Sequence, residues 1–187
     1  MNLHHTLARA FGIVAVATMI VGCINVPKSS TQDDPPKDVY TLKAPDGGSA
    51  KRGGNVIVVA KPDVPSGYDT DRIALMFEQG HRLDYYAGAA WSGRLADLLQ
   101  TFIVQTARQE LHGSVVGTSE MTGTARYRLM VKVTDFQPVY AAGPDAIPRL
   151  DVAMNMTLID VPSGKVAASV NAKKSAQATA NRMTIIT

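Results

Sequence analysis

Tyr127-Arg128-Leu129-Met130-Val131-Lys132-Val133-Thr134 sets Tyr127, Leu129, Val131 and Val133 against Arg128, Met130, Lys132 and Thr134. Such a period of two marks a strand with one face on a core. Downstream, Leu150, Val152, Met154, Met156 and Leu158 repeat the pattern against Asp151, Ala153, Asn155 and Thr157. Asp160-Val161-Pro162-Ser163-Gly164 then turns the chain into a third strand, 166–171, in meander order. Upstream, Leu95, Leu98, Leu99, Phe102, Ile103 and Ala107 recur at the three-and-four spacing of one buried helix face. This predicts a helix over about 92–111, with Ser92 as N-cap and Gly113 as its stop. Residues 72–78 and 82–87 read as a hairpin around Gln79-Gly80-His81, and Asn55-Val56-Ile57-Val58-Val59-Ala60 as a buried strand. The order predicts an α+β fold, an antiparallel-dominated sheet with one long amphipathic helix packed across it.

With 187 residues, 45% apolar and 19% charged, the chain is no disordered tail, and a single domain over 39–187 is expected. At roughly 150 residues a domain buries about 70% of the surface its unfolded chain exposes, so neither disulfide nor metal is needed for stability. The single cysteine makes no internal disulfide, and with few histidines a structural zinc has almost no ligands. A net charge of +3 without a basic run gives no footprint for nucleic acid.

Residues 1–22 have the form of a secretory signal, with Arg9 ahead of an apolar stretch from Ala10 to Val21. That stretch is about twelve residues, where spanning a bilayer takes about 20. Ile20-Val21-Gly22-Cys23 resembles the lipobox of bacterial lipoproteins, which implies cleavage before Cys23 and acylation of its thiol. Two or more acyl chains hold a protein stably on a membrane. Ile24, where the enterobacterial retention signal has Asp, implies transfer to the outer membrane. Residues 23–38, including Pro27-Lys28-Ser29-Ser30-Thr31-Gln32-Asp33-Asp34-Pro35-Pro36-Lys37, read as a flexible tether. At about 3.1 Å per residue it reaches up to about 45 Å.

Once the signal is removed only His81 and His112 remain, neither with a visible partner, and the chain holds no G-x-S-x-G elbow and no Walker A loop. His81 reads as a solvated turn residue and His112 as a helix-end residue. Gly67-Tyr68-Asp69-Thr70-Asp71-Arg72 places two carboxylates beside an arginine. It lacks the longer acidic series and distal Glu of a calcium loop, leaving an Asx-type turn that opens a strand or a partner-binding loop. Asp84-Tyr85-Tyr86-Ala87-Gly88-Ala89-Ala90-Trp91 gathers aromatics that suit either the seam between helix and sheet or an interface. Met154 and Met156 read as core.

Taken together and in order, Tyr40-Thr41-Leu42, Gly67-Tyr68-Asp69-Thr70-Asp71-Arg72-Ile73-Ala74, Leu83-Asp84-Tyr85-Tyr86-Ala87 with Trp91, Tyr127-Arg128-Leu129 and Asp135-Phe136-Gln137 form a recognisable pattern. It resembles the ABC-type transport auxiliary lipoprotein family, which includes the paraquat-inducible protein C-like lipoproteins. The resemblance implies a periplasm-facing, outer-membrane-anchored accessory of a system built from an ABC permease, its ATPase and an MCE-domain protein. Such systems move phospholipids or other hydrophobic molecules between membranes. It implies docking on the MCE assembly, a homo-oligomeric collar, and neither a catalytic residue nor a cofactor. The residues expected to form the interaction surface are Tyr68, Asp69, Asp71, Arg72, Tyr85, Tyr86 and Trp91. The competing reading is a periplasmic carrier with a lipid between helix and sheet; a small hydrolase would need His81 or His112. In one respect the chain departs from the family: members usually continue into a C-terminal amphipathic helix, whereas residues 175–187 are mostly small and polar.

Overall fold

The computed structural model describes residues 38–45, 54–78, 81–118 and 125–181. The expected signal, Cys23 and the tether up to residue 37 lie outside them, as do Gln79 and Gly80 of the expected hairpin turn. Among the described residues the chain forms β1 Asp38–Tyr40, β2 Val56–Val59, β3 Arg72–Phe77, β4 Arg82–Trp91, α1 Leu95–Glu110, β5 Val115–Thr118, β6 Tyr127–Tyr140, β7 Arg149–Asp160 and β8 Lys165–Gln177.

The strands join in one sheet whose axis is β6. On one side β6 pairs antiparallel with β7, from Tyr127 opposite Asp160 to Val139 opposite Arg149, and β7 pairs antiparallel with β8. Its other side is shared. β2 lies parallel against residues 127–129, β3 lies parallel against Val139 and Tyr140, and an Asp63–Lys132 bridge falls between them. β5 extends the sheet beyond β2, while β4 and then β1 extend it beyond β3.

This mixed sheet overturns the expected antiparallel-dominated α+β arrangement with one long helix. β1 with β4, β2 with both β5 and β6, and β3 with β6 all pair in parallel. Alternation reports which face of a strand is covered, and it reads the same for either strand direction. Parallel partners are joined by crossovers whose pairing no local pattern records. The meander from β6 to β8 was legible because its connections are short, 141–148 and then the turn 161–164, and short connections favour antiparallel neighbours.

The helix is also shorter than its apolar pattern predicts, 16 residues beginning at Leu95. Ser92 does not cap it; the Ser92 N–H donates instead to the Tyr40 carbonyl at 2.7 Å, fastening β1 to the end of β4. Arg94 occupies the N-cap position without a side-chain capping bond. At the other end the Leu111 N–H bonds the Ala107 carbonyl, and Gly113, at φ +90°, takes the left-handed conformation that turns the chain into β5.

Two apolar clusters hold the helix on the sheet. Leu95 and Leu99 pack with Tyr68, Ala74 and Val133. Val104 packs with Ile57, Val59 and Val116. Leu95, Val58, Val59 and Val133 are almost fully removed from water, each worth about 1.5–3 kcal/mol of apolar transfer. β2 is built of Val and Ile because it lies between parallel neighbours on both sides. Met154 and Met156, expected in the core, are half-buried on β7, and β8 beyond them is exposed throughout. No helix follows β8 among the described residues.

Candidate partner-binding surface

The loop between β2 and β3 carries Gly67-Tyr68-Asp69-Thr70-Asp71-Arg72, and the end of β4 carries Trp91. Backbone bonds join the two: the Trp91 N–H donates to the Asp71 carbonyl at 2.7 Å, and the Leu95 N–H donates to the Thr70 carbonyl at 3.2 Å. The loop thereby receives the first turn of the helix.

Within it, most polar groups are committed to holding the fold. Asp69 Oδ1 accepts the Ala96 N–H at 3.1 Å, and Oδ2 pairs with Arg94 at 2.5 Å. The hydrogen bond from Arg94, reinforced by Ala96 and opposed by burial, holds this carboxyl below its ordinary 3.8. Tyr68 is buried against Leu95, Leu99 and Val133. Burial, with the negative Asp135 second, raises its phenol above the ordinary 10.0. The Tyr85 hydroxyl donates to the Gly67 carbonyl at 3.0 Å, which bolts the loop to β4. Tyr86 does not join this group. Its hydroxyl lies 2.6 Å from that of Tyr140, which in turn donates to Asn181 at 2.8 Å. Burial first, and the Tyr140 contact second, push the Tyr86 phenol strongly upward.

What the loop presents to solvent is Asp71 and Arg72, both exposed. The Arg72 guanidinium sits 3.9 Å above the centre of the Tyr85 ring, a cation–π contact that fixes its charge in place. Trp91 stands beside them, half-buried, its ring 6.1 Å from that of Phe136. It forms one wall of an apolar cavity of about 140 Å³ that also involves Tyr40, Leu42, Phe136, Pro138 and Val152. Gln137 and Asp151 also line it. Each has partners: Gln137 donates to Asp135 at 3.3 Å, and Asp151 accepts Arg149 at 2.9 Å. The cavity therefore presents greasy walls with no polar group aimed inward without a partner. It is near the size of an engineered cavity that takes up benzene, so one aromatic or branched aliphatic side chain would fill it.

Of the seven residues expected to form the interaction surface, the structure gathers Asp71, Arg72, Tyr85 and Trp91 at one place, draws Tyr68 and Asp69 beneath them, and sets Tyr86 apart. The sequence pattern did not show the cavity. Phe136, Pro138 and Val152 lie on strands whose register relative to β1 and β4 exists only in the folded sheet. His81 is exposed at φ +49°, and His112 is exposed past the helix end with its N–H on the Glu110 carbonyl. Among the described residues no group of three or more His, Cys, Asp or Glu side chains is placed to hold a metal ion. No described helix is long and apolar enough to cross a membrane.

Compared with known proteins, residues 40–185 match a family profile described as ABC-type transport auxiliary lipoprotein component. The fold is similar to the crystal structure of a DUF330-family protein from Xanthomonas campestris, at TM-score 0.63 and 19% identity over 79% of this chain and 82% of that one. It is similar to a second crystal structure, of an uncharacterized protein, at TM-score 0.64 and 15% identity over 80% and 86% of the two chains. A looser likeness, TM-score 0.43 and 18% identity over 74% and 83%, is to the PelC dodecamer of Paraburkholderia phytofirmans. No curated protein sequence matches.

Proposed function

From the premise that this chain belongs to the ABC-type transport auxiliary lipoprotein component family, we propose that it is a non-enzymatic accessory of an MCE-type envelope system that moves phospholipids or other hydrophobic molecules. In this reading Cys23 carries the lipid anchor, and Ile24 after it directs the protein to the periplasmic face of the outer membrane. The folded body docks on the MCE-domain protein of the ABC permease and ATPase system.

The observation that carries the docking reading is a pair of exposed opposite charges, with Arg72 held over the Tyr85 ring, beside an apolar socket. Asp71 and Arg72 stand in solvent next to Trp91, and behind Trp91 lies the cavity of about 140 Å³. A buried anchor side chain surrounded by oriented polar groups is the common composition of a binding hot spot. The carrier reading has less support. Pockets for whole small ligands run to about 300–1,000 Å³, and this cavity lies among β1, β3, β4, β6 and β7 rather than between helix and sheet.

Affinity capture of the tagged lipoprotein from gently solubilised, crosslinked envelopes tests the proposal. The expected result is recovery of an MCE-domain protein with its permease, reduced by Asp71→Lys. Absence of such a partner, with phospholipid found on the purified protein by native mass spectrometry, would replace docking with the carrier.

A further inference from the structure

The strand path from β6 through β7 ends at β8, which is exposed along its whole length, with Val166 and Val170 63% and 53% accessible. β7 pairs with one side of it, and among the described residues no strand pairs with the other. The Ala178 N–H donates to the Pro148 carbonyl across the β7 pairing. The alternation of an antiparallel ladder then turns the N–H and C=O of Ser169, Asn171, Lys173, Ser175 and Gln177 outward. A row of backbone donors and acceptors at this spacing is matched by another extended chain, the mode of recognition known as strand addition.

The side chains specify which chain. β8 carries Lys165, Lys173 and Lys174 and no carboxylate. Among the described residues none of the three forms an ion pair, and the carboxylates across the ladder are engaged elsewhere. Asp160, opposite Lys165, pairs with Arg126. Asp151, which also feels the charge of Lys173, is held by Arg149 at 2.9 Å on each oxygen. Lysine on an edge works against indiscriminate pairing, and a second copy would add the same lysines without an acid. A strand that brings its own carboxylates instead makes favourable cross-strand pairs with them.

We propose that β8 accepts an acidic extended segment of a different protein as an added strand, with two adjacent carboxylates facing Lys173 and Lys174. Successive side chains of a strand point to opposite faces, so only carboxylates at consecutive positions answer both lysines. The rest of the segment alternates. Ala168, Val170 and Ala172 continue the row of Leu158, Met156 and Met154, whereas Ser169, Asn171 and Ser175 continue that of Thr157, Asn155 and Asp151. The added strand is therefore apolar on the first face and polar on the second. The inference rests on β8 and not on the surface at Asp71 and Trp91, so the failure of either leaves the other standing.

A labelled, capped peptide Thr-Val-Thr-Glu-Glu-Val-Thr-Val-Thr, titrated into the full chain in detergent and followed by fluorescence anisotropy, tests it. Laid antiparallel, this probe sets Glu-Glu on Lys174 and Lys173 and its valines on Ala176, Ala172 and Val170. Binding is expected to weaken about tenfold or more when Glu-Glu becomes Gln-Gln, and to fall with added salt. Lys173→Glu combined with Lys174→Glu should reverse the preference, so that a Lys-Lys peptide binds and the Glu-Glu peptide does not, with an unchanged circular dichroism spectrum. Methylating the peptide nitrogen opposite Asn171 tests backbone pairing without touching the protein, and should abolish binding. Asp71→Lys should leave binding unchanged. In envelopes, a photoreactive residue replacing Asn171 should give adducts with a carboxylate-bearing segment of a different protein, lost in the doubly substituted chain. Absence of peptide binding overturns the proposal, as does binding indifferent to the charge reversal or to the methyl group, or adducts only with lipid or with a second copy.

Discussion

Asp69 caps the helix from outside it: its carboxylate accepts the Ala96 N–H at 3.1 Å across 27 residues of sequence. The N-cap residue Arg94 offers no side-chain acceptor, so a distant loop supplies one and is itself fixed by doing so. Loop and helix are consequently expected to melt together.

Asp69→Ala should cost about 1–2 kcal/mol, in the range of lost helix caps, measured by urea denaturation. The effect depends on pH with a defined sign. The Asp69 carboxyl is depressed by Arg94, so its contribution is full above the ordinary 3.8 and is lost as pH falls through the lower native value. Wild type and Asp69→Ala should therefore converge in stability at acid pH. Parallel curves down to that range would assign the loss to packing.

At alkaline pH the pair formed by Tyr86 and Tyr140 governs. The Tyr86 phenol is raised by burial and by its partner, so it stays protonated in the native state where the unfolded chain ionises. Its contribution is full below the ordinary 10.0 and declines as pH rises beyond it. Tyr86→Phe should cost about 0.5–1.5 kcal/mol at neutral pH and flatten the alkaline decline in melting temperature.

The proposed docking surface separates by stability and capture. Asp71→Lys changes an exposed side chain and should leave stability within about 0.5 kcal/mol while reducing capture of the MCE-domain protein. Trp91→Ala removes a half-buried ring from Phe136 and the cavity wall. It should cost about 2 kcal/mol, less than the 3–5 of a fully buried Trp, and abolish capture while the domain remains folded.

Gly54 tests the close approach of the strands that flank the helix crossover. A Cβ at this position would fall on the Gly113 carbonyl. Gly54→Ala must therefore displace backbone, and a loss of about 1–3 kcal/mol is expected by denaturation.

The strands and the helix announce themselves through periodicity because covered faces must be apolar at the element's own repeat. Ile57, Val59, Leu95, Leu99 and Val133 were legible for that reason. Strand direction was not legible, since Val58 beside Arg128 and Met76 beside Val139 are parallel neighbours that no local pattern links. The reach of β6 was also understated. Its alternation breaks after Val133, which reads as a strand end, yet pairing with β7 continues to Val139. At the site, residue type drew attention to Tyr68 and Asp69, but an aromatic ring or a carboxylate serves a core or a cap as readily as a partner. Only burial and hydrogen bonding separate them from Asp71 and Arg72.

That break in β6 comes from Thr134, the unpaired residue between Val133 opposite Met154 and Asp135 opposite Ala153, whose hydroxyl returns to the Ala153 carbonyl at 3.2 Å. One added residue inverts the parity of everything after it, which is how Phe136 reaches the same core as Val133 although they stand an odd number of positions apart. Drawing Thr134 into the ladder opposite Ala153 would slide every later residue by a single step and exchange the two sides of the strand. Asp135 would then stand opposite Val152, where the Phe136 ring now meets Trp91, and the socket would lose its hydrophobic wall to a carboxylate.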